Sequence, residues 1–129
     1  MTNAARQTGP ALEAHFQFMK WLVPTVEKFP RSQKFLLGDR IQTTALDVLD
    51  ALIEATYTRD RRPHLTRANL GLEKLRFHVR LAADLQCLDR RRYEYAAREL
   101  NEIGRLVGGW VKSQASRSPG MICDGEAAL

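Results

Sequence analysis

The chain has 129 residues, a formal charge of +5 and a sequence pI near 9.6. That length buries one hydrophobic core and leaves no room for a second module, and the basic balance asks for an acidic partner: nucleic acid, an anionic membrane surface or an acidic protein face. Two cysteines, Cys87 and Cys123, build neither a disulfide framework nor a zinc constellation, Met1 to Pro10 lacks the layout of a secretory signal, and no apolar run approaches the roughly 18 to 20 residues of a membrane span. A cytoplasmic protein with no membrane partner is expected.

After a flexible stretch over residues 1–10, the first helix is marked by Leu12, Phe16, Met19, Leu22 or Val23, and Val26, which recur at the three- and four-residue spacing of one apolar face. Pro24 is expected to kink this helix or end it early, because proline lacks the N–H and clashes with the preceding turn; Phe29-Pro30 closes it. The second helix starts near Ser32 or Gln33, carries Leu37, Ile41, Ala45, Val48, Leu49, Leu52 and Ile53 inward, and runs to about Thr58. The polar Arg59-Asp60-Arg61-Arg62-Pro63 makes the next connection, with the proline in a loop or a first helical turn.

The third helix spans about Thr66 to Cys87 and has two apolar faces. At about 100° per residue, Leu72, Leu75, Val79 and Ala82 share one face, and Leu70, Phe77, Leu81, Leu85 and Leu88 share another roughly 150° away. Either this helix is the most buried of the four, or its second stripe packs against another subunit, since a monomer rarely leaves so much apolar surface in water. The oligomer interface is accordingly placed at Leu70, Phe77, Leu81, Leu85 and Leu88. Asp89 is a suitable N-cap for the fourth helix, about Asp89 to Gln114, with Ala96, Leu100, Ile103, Val107 and Trp110 inward. The tail over 115–129 is too poor in apolar side chains to offset the entropy of ordering and is expected to be disordered. Short connections between long amphipathic helices give an all-α, antiparallel, up-down-up-down four-helix bundle over residues 11–114.

Chemistry-bearing constellations are sparse. His15, His64 and His78 lie in three segments without metal-ligand spacing, so no metal and no other cofactor is assigned. Asp47, Asp50 and Glu54 share one side of the second helix and read as a solvated acidic face rather than a catalytic pair. Gly104, Gly108 and Gly109 lack the strand and lysine of a phosphate loop and read as sites where a neighbouring helix comes close. Trp21 and Trp110 read as core or interface anchors. No catalytic residue emerges, and an enzyme is not expected.

The arginines carry more information. From Arg59 to Arg98 eleven basic residues face five acidic ones, an excess of six in a chain whose whole charge is +5. Arginine dominates, and its planar fork suits phosphate and base stacking better than lysine does. The candidate nucleic-acid contacts are Arg76, Arg80, Arg90, Arg91 and Arg92, with Arg59, Arg61 and Arg62 at the other end of the third helix. The competing reading is a solvated face with scattered ion pairs.

Four stretches taken in order resemble a known family: Phe29-Pro30-Arg31; Phe35-Leu36-Leu37-Gly38-Asp39-Arg40-Ile41; Leu70-Gly71-Leu72-Glu73-Lys74-Leu75-Arg76-Phe77; and Glu102-Ile103-Gly104-Arg105-Leu106-Val107-Gly108-Gly109-Trp110. The pattern, over about residues 12 to 114, is similar to the bacterial four-helix bundle superfamily of Avd, the accessory variability protein of diversity-generating retroelements, and of the bundle proteins encoded in ribosomal RNA intervening sequences. The resemblance implies a homopentamer with a basic surface and, for the Avd branch, binding of RNA or DNA and association with a reverse transcriptase. The expectation is a non-enzymatic nucleic-acid-binding accessory protein; the alternative is a stand-alone oligomeric scaffold of the same superfamily that binds protein alone.

Overall fold

The computed structural model of the chain describes residues 9–117. Four long helices account for most of them: α1 (Pro10–Glu27), α2 (Asp39–Tyr57), α3 (Arg62–Asp84) and α4 (Arg90–Arg117). Each packs against two of the others, α1 on α2, α2 on α3, α3 on α4 and α4 back on α1, so the bundle is a square of antiparallel neighbours. No strand occurs among the described residues. The expected flexible N-terminus and disordered tail lie outside the described residues, except that Gly9 and Pro10 lead into α1 and residues 115–117 continue α4.

Apolar periodicity explains the core. Leu12, Met19, Leu22 and Val26 of α1, Ile41, Val48 and Leu52 of α2, Leu72, Leu75 and Val79 of α3, and Leu100, Ile103 and Val107 of α4 are all buried. Two residues expected inside are not: Phe16 is 48 % exposed and Ile53 39 % exposed. Of the pair Leu22 and Val23, Leu22 turns inward. The core place beside Phe16 goes to His15, fully buried because its Nε2 donates to the Ala45 carbonyl at 2.9 Å. A polar ring with one nitrogen hydrogen-bonded occupies a position that periodicity assigns to an apolar residue.

Pro24 does not end α1, which continues to Glu27 with Pro24 on the exposed side; the Thr25 hydroxyl donates to the Trp21 carbonyl at 2.7 Å in that turn. The chain then turns through Phe29-Pro30, makes one helical turn (Arg31–Gln33) and passes through a five-residue π-helix (Lys34–Gly38) into α2. The wider turn leaves Phe35 and Leu36 exposed while burying Leu37. At the start of α3, Pro63 occupies the first turn, where its missing N–H costs nothing, so the helix begins at Arg62 rather than Thr66.

The end of α3 corrects the expected interface. Gln86 adopts φ +64°, its N–H bonds to the Ala83 carbonyl at 3.0 Å, and the Cys87 N–H bonds to the Ala82 carbonyl at 2.8 Å. This is a Schellman C-cap, with glutamine in the left-handed place usually held by glycine. The helical wheel no longer applies beyond Asp84, and Leu88 turns back into the core, 6 % exposed. Leu88 therefore leaves the proposed interface. Leu70, Phe77, Leu81 and Leu85 keep the outward stripe, 45–65 % exposed.

Helices α2 and α3 approach closely at Gly71, where a Cβ would collide with Val48 Cγ2. Gly104 instead accommodates a side chain: a Cβ there would stand 2.8 Å from Arg76 Nη2. Nothing described comes within 4 Å of a Cβ at Gly108 or Gly109, so the expected close helix approach at those two glycines is not found.

Candidate nucleic-acid interface

Antiparallel packing sorts the candidate arginines by pole. Arg59, Arg61 and Arg62 stand at the N-terminal end of α3, and Arg80, Arg90, Arg91 and Arg92 at its C-terminal end and the start of α4. The 23-residue α3 separates the two groups by about 33 Å at 1.5 Å per residue. Arg59 to Arg62 and Arg90 to Arg92 thus stand at opposite ends of α3. Arg76 lies between them, half-buried with its Nη2 close to Gly104, and its Nε lies 3.5 Å from Glu73 Oε2 without hydrogen-bond geometry.

At the pole where α3 ends, the arginines divide into two grooves. Arg80 and Arg90 line one with Asp84, Leu88 and Tyr93. Arg91 and Arg92 line the other with Trp21, Glu94, Tyr95 and Arg98. Trp21 packs on Tyr95 with ring centroids 4.6 Å apart and on Phe18 at 5.8 Å, and the Arg98 guanidinium lies 5.7 Å from the Tyr95 ring. Tyr95 and Arg98 join the site although the sequence reading does not select them. Arg91, Tyr95 and Arg98 follow one another at four- and three-residue spacing along one helix face, a signal present in the sequence. Trp21 arrives from another helix and leaves no such signal.

Asp89 caps α4 as expected. The Arg92 N–H donates to Asp89 Oδ1 at 2.8 Å, and Arg92 Nη1 donates to Oδ2 at 2.6 Å. The backbone bond first, and then the Arg92 and Arg91 charges, hold the Asp89 carboxyl below its usual range. Arg90 bonds to Glu94 at 3.2 Å. Arg59, Arg62, Arg80 and Arg91 have no acidic partner among the described residues, whereas Arg61 lies over the half-buried Trp110, 6.0 Å from the ring centroid.

Both basic poles begin a helix. Neither α3 nor α4 has an acidic residue in its first turn, and each opens on arginine. The helix dipole makes a cation there unfavourable, by roughly 0.3–1 kcal/mol each. At α4 the Asp89 carboxylate meets both the dipole and the Arg92 guanidinium; at α3 no acidic side chain of the described residues pairs with Arg61 or Arg62.

The acidic row resolves as an ordinary groove wall. Asp47, Asp50 and Glu54 face Arg67, Leu70 and Lys74 across the α2–α3 groove. Glu54 pairs with Arg67 and lies 3.3 Å from His64 Nδ1. Among the described residues no group of three or more His, Cys, Asp or Glu side chains is arranged to hold a metal, and no helix is long and apolar enough to cross a membrane.

A family model described as bAvd-like matches residues 12–114, nearly the whole of the described bundle. No curated protein matches the chain.

Proposed function

The chain belongs to the bAvd-like family, and from that premise we propose that it is a non-enzymatic, oligomeric accessory protein that binds RNA or DNA and partners a retroelement reverse transcriptase. The observation that carries the nucleic-acid reading is the pair of arginine-headed helices. The sequence places cations at two helix starts, Arg61-Arg62 and Arg90-Arg91-Arg92. The Asp89 cap offsets the second, whereas at the first neither arginine is paired with an acid among the described residues, and a phosphate strand would supply the counter-charge. Exposed ion pairs such as Arg90–Glu94 and Arg92–Asp89 contribute little, so both arginines can exchange a carboxylate for a phosphate at small cost.

Assembly strengthens the reading. The stripe of Leu70, Phe77, Leu81 and Leu85 is the surface on which a second copy packs, in the pentamer that the family resemblance implies, and each added subunit repeats both poles. The same stripe also favours the second reading, a scaffold that binds protein alone. A tagged pull-down from the native cells, washed near physiological salt, separates them. Recovery of a reverse transcriptase with one defined RNA is expected; recovery of protein without nucleic acid supports the scaffold.

A further inference from the structure

The groove that Arg91 and Arg92 share with Trp21, Tyr95 and Arg98 holds more than phosphate recognition requires. Guanidinium groups alone satisfy a strand backbone, yet two of the seven side chains lining this groove of about 450 Å³ are aromatic. The Trp21 ring comes from α1 and the Tyr95 ring from α4, and both are half-buried, packed on the core and also lining the groove. The buried Phe18 backs Trp21 at a centroid distance of 5.8 Å, and Tyr95 meets Trp21 at 4.6 Å with the ring planes 53° apart, so the pair is anchored in the fold. The exposed Arg98 guanidinium lies 5.7 Å from the Tyr95 ring centroid.

The carboxylates of the groove are already engaged. Asp89 accepts from the Arg92 backbone and guanidinium, and Glu94 accepts from Arg90. Neither Arg91 nor Arg98 has an acidic partner among the described residues. These two arginines stand on one face of α4 with Tyr95 between them.

We propose that this groove seats one unstacked nucleobase of a single strand, held against the Trp21–Tyr95 pair and the Arg98 guanidinium, with Arg91 on a flanking phosphate. The proposal rests on the nucleic-acid reading above and deepens it by naming the ligand class. Arginine poles alone attract single strands and duplexes alike. A base inside a duplex is covered on both faces and reaches such a groove only by being unstacked, whereas a single strand offers its bases freely. Aromatic rings and guanidinium planes accept any base, so the groove selects for strandedness more than for sequence.

The test uses the full chain with Trp110→Phe, which leaves Trp21 as its one tryptophan, so that emission reports on this groove. The protein is titrated with a short single-stranded RNA, with the same RNA paired into a duplex, and with inorganic polyphosphate. The single strand should quench Trp21 emission; the duplex and polyphosphate should not. Tyr95→Leu should weaken single-strand binding by about 5- to 150-fold and leave its salt slope unchanged, because no phosphate contact is lost. Tyr95→Phe, which keeps the ring, should retain the affinity. Emission that stays constant while the single strand saturates the protein, or equal quenching by polyphosphate, overturns the base site and leaves the nucleic-acid reading standing. Should Tyr95→Leu lose helix content by circular dichroism, the emission of the chain that keeps Tyr95 decides alone. Absence of RNA binding near 0.15 M salt overturns the base site together with the reading beneath it.

Discussion

His15 couples the interior of the bundle to pH. Its ring is fully buried, donates to the Ala45 carbonyl through Nε2 and leaves Nδ1 without a partner. Burial lowers its pKa from the ordinary 6.5, against the smaller raising effect of the Ala45 bond. Folded His15 thus binds fewer protons than unfolded His15, and stability rises with pH between the two values. Above about 6.5 the neutral ring is free to stay buried; below it, acid favours the unfolded chain. Urea unfolding should show stability falling from pH 7 to pH 5, by up to about 1.4 kcal/mol per pH unit for this one group. His15→Gln should flatten that dependence, leaving the smaller part contributed by His78, whose pKa is lowered in the same direction.

At the scale of elements, the helices were legible because their apolar residues repeat at 3.6-residue spacing, and the α4 stripe of Ala96, Leu100, Ile103 and Val107 is buried as read. What periodicity could not supply was where the repeat stops. Gln86 caps α3 without the glycine that announces such a cap, and the misplacement of Leu88 follows from that single residue. The π-helix before α2 has no sequence signature either. Among the candidate contacts, the arginines were legible as a charge excess, but which of them lies close to a neighbouring helix, as Arg76 does at Gly104, is set by that helix. Glycine needs the same context. Gly71→Ala should destabilise by about 1–3 kcal/mol, because the new methyl group meets Val48. Gly108→Ala, with open space around it in a helix interior, should stabilise by about 0.5–1 kcal/mol. Thermal unfolding of the two variants checks the opposite signs.

For the whole molecule, the outward apolar stripe runs along α3 and the two arginine groups stand at its ends, so the assembly and the nucleic-acid binding proposed above are testable by separate mutations. Leu81 is 47 % exposed and contributes little to the fold of one subunit. Leu81→Glu should change subunit stability by no more than about 0.5 kcal/mol while shifting the assembly toward the 14.7 kDa monomer. Sedimentation velocity beside circular dichroism reads both at once. Loss of helix content together with assembly would mean that the stripe is needed for folding itself.

Whether the arginine-headed poles bind a phosphate strand is decided by the salt dependence of single-stranded RNA affinity, measured for the intact protein and for an Arg80→Gln, Arg91→Gln double variant. A linear fall of log affinity with log salt is expected, its slope flattened by about 0.7 for each phosphate left unpaired by a substitution. Binding that is absent near 0.15 M salt, close to physiological ionic strength, or a slope that the two substitutions leave unchanged, would refute the role assigned to the poles.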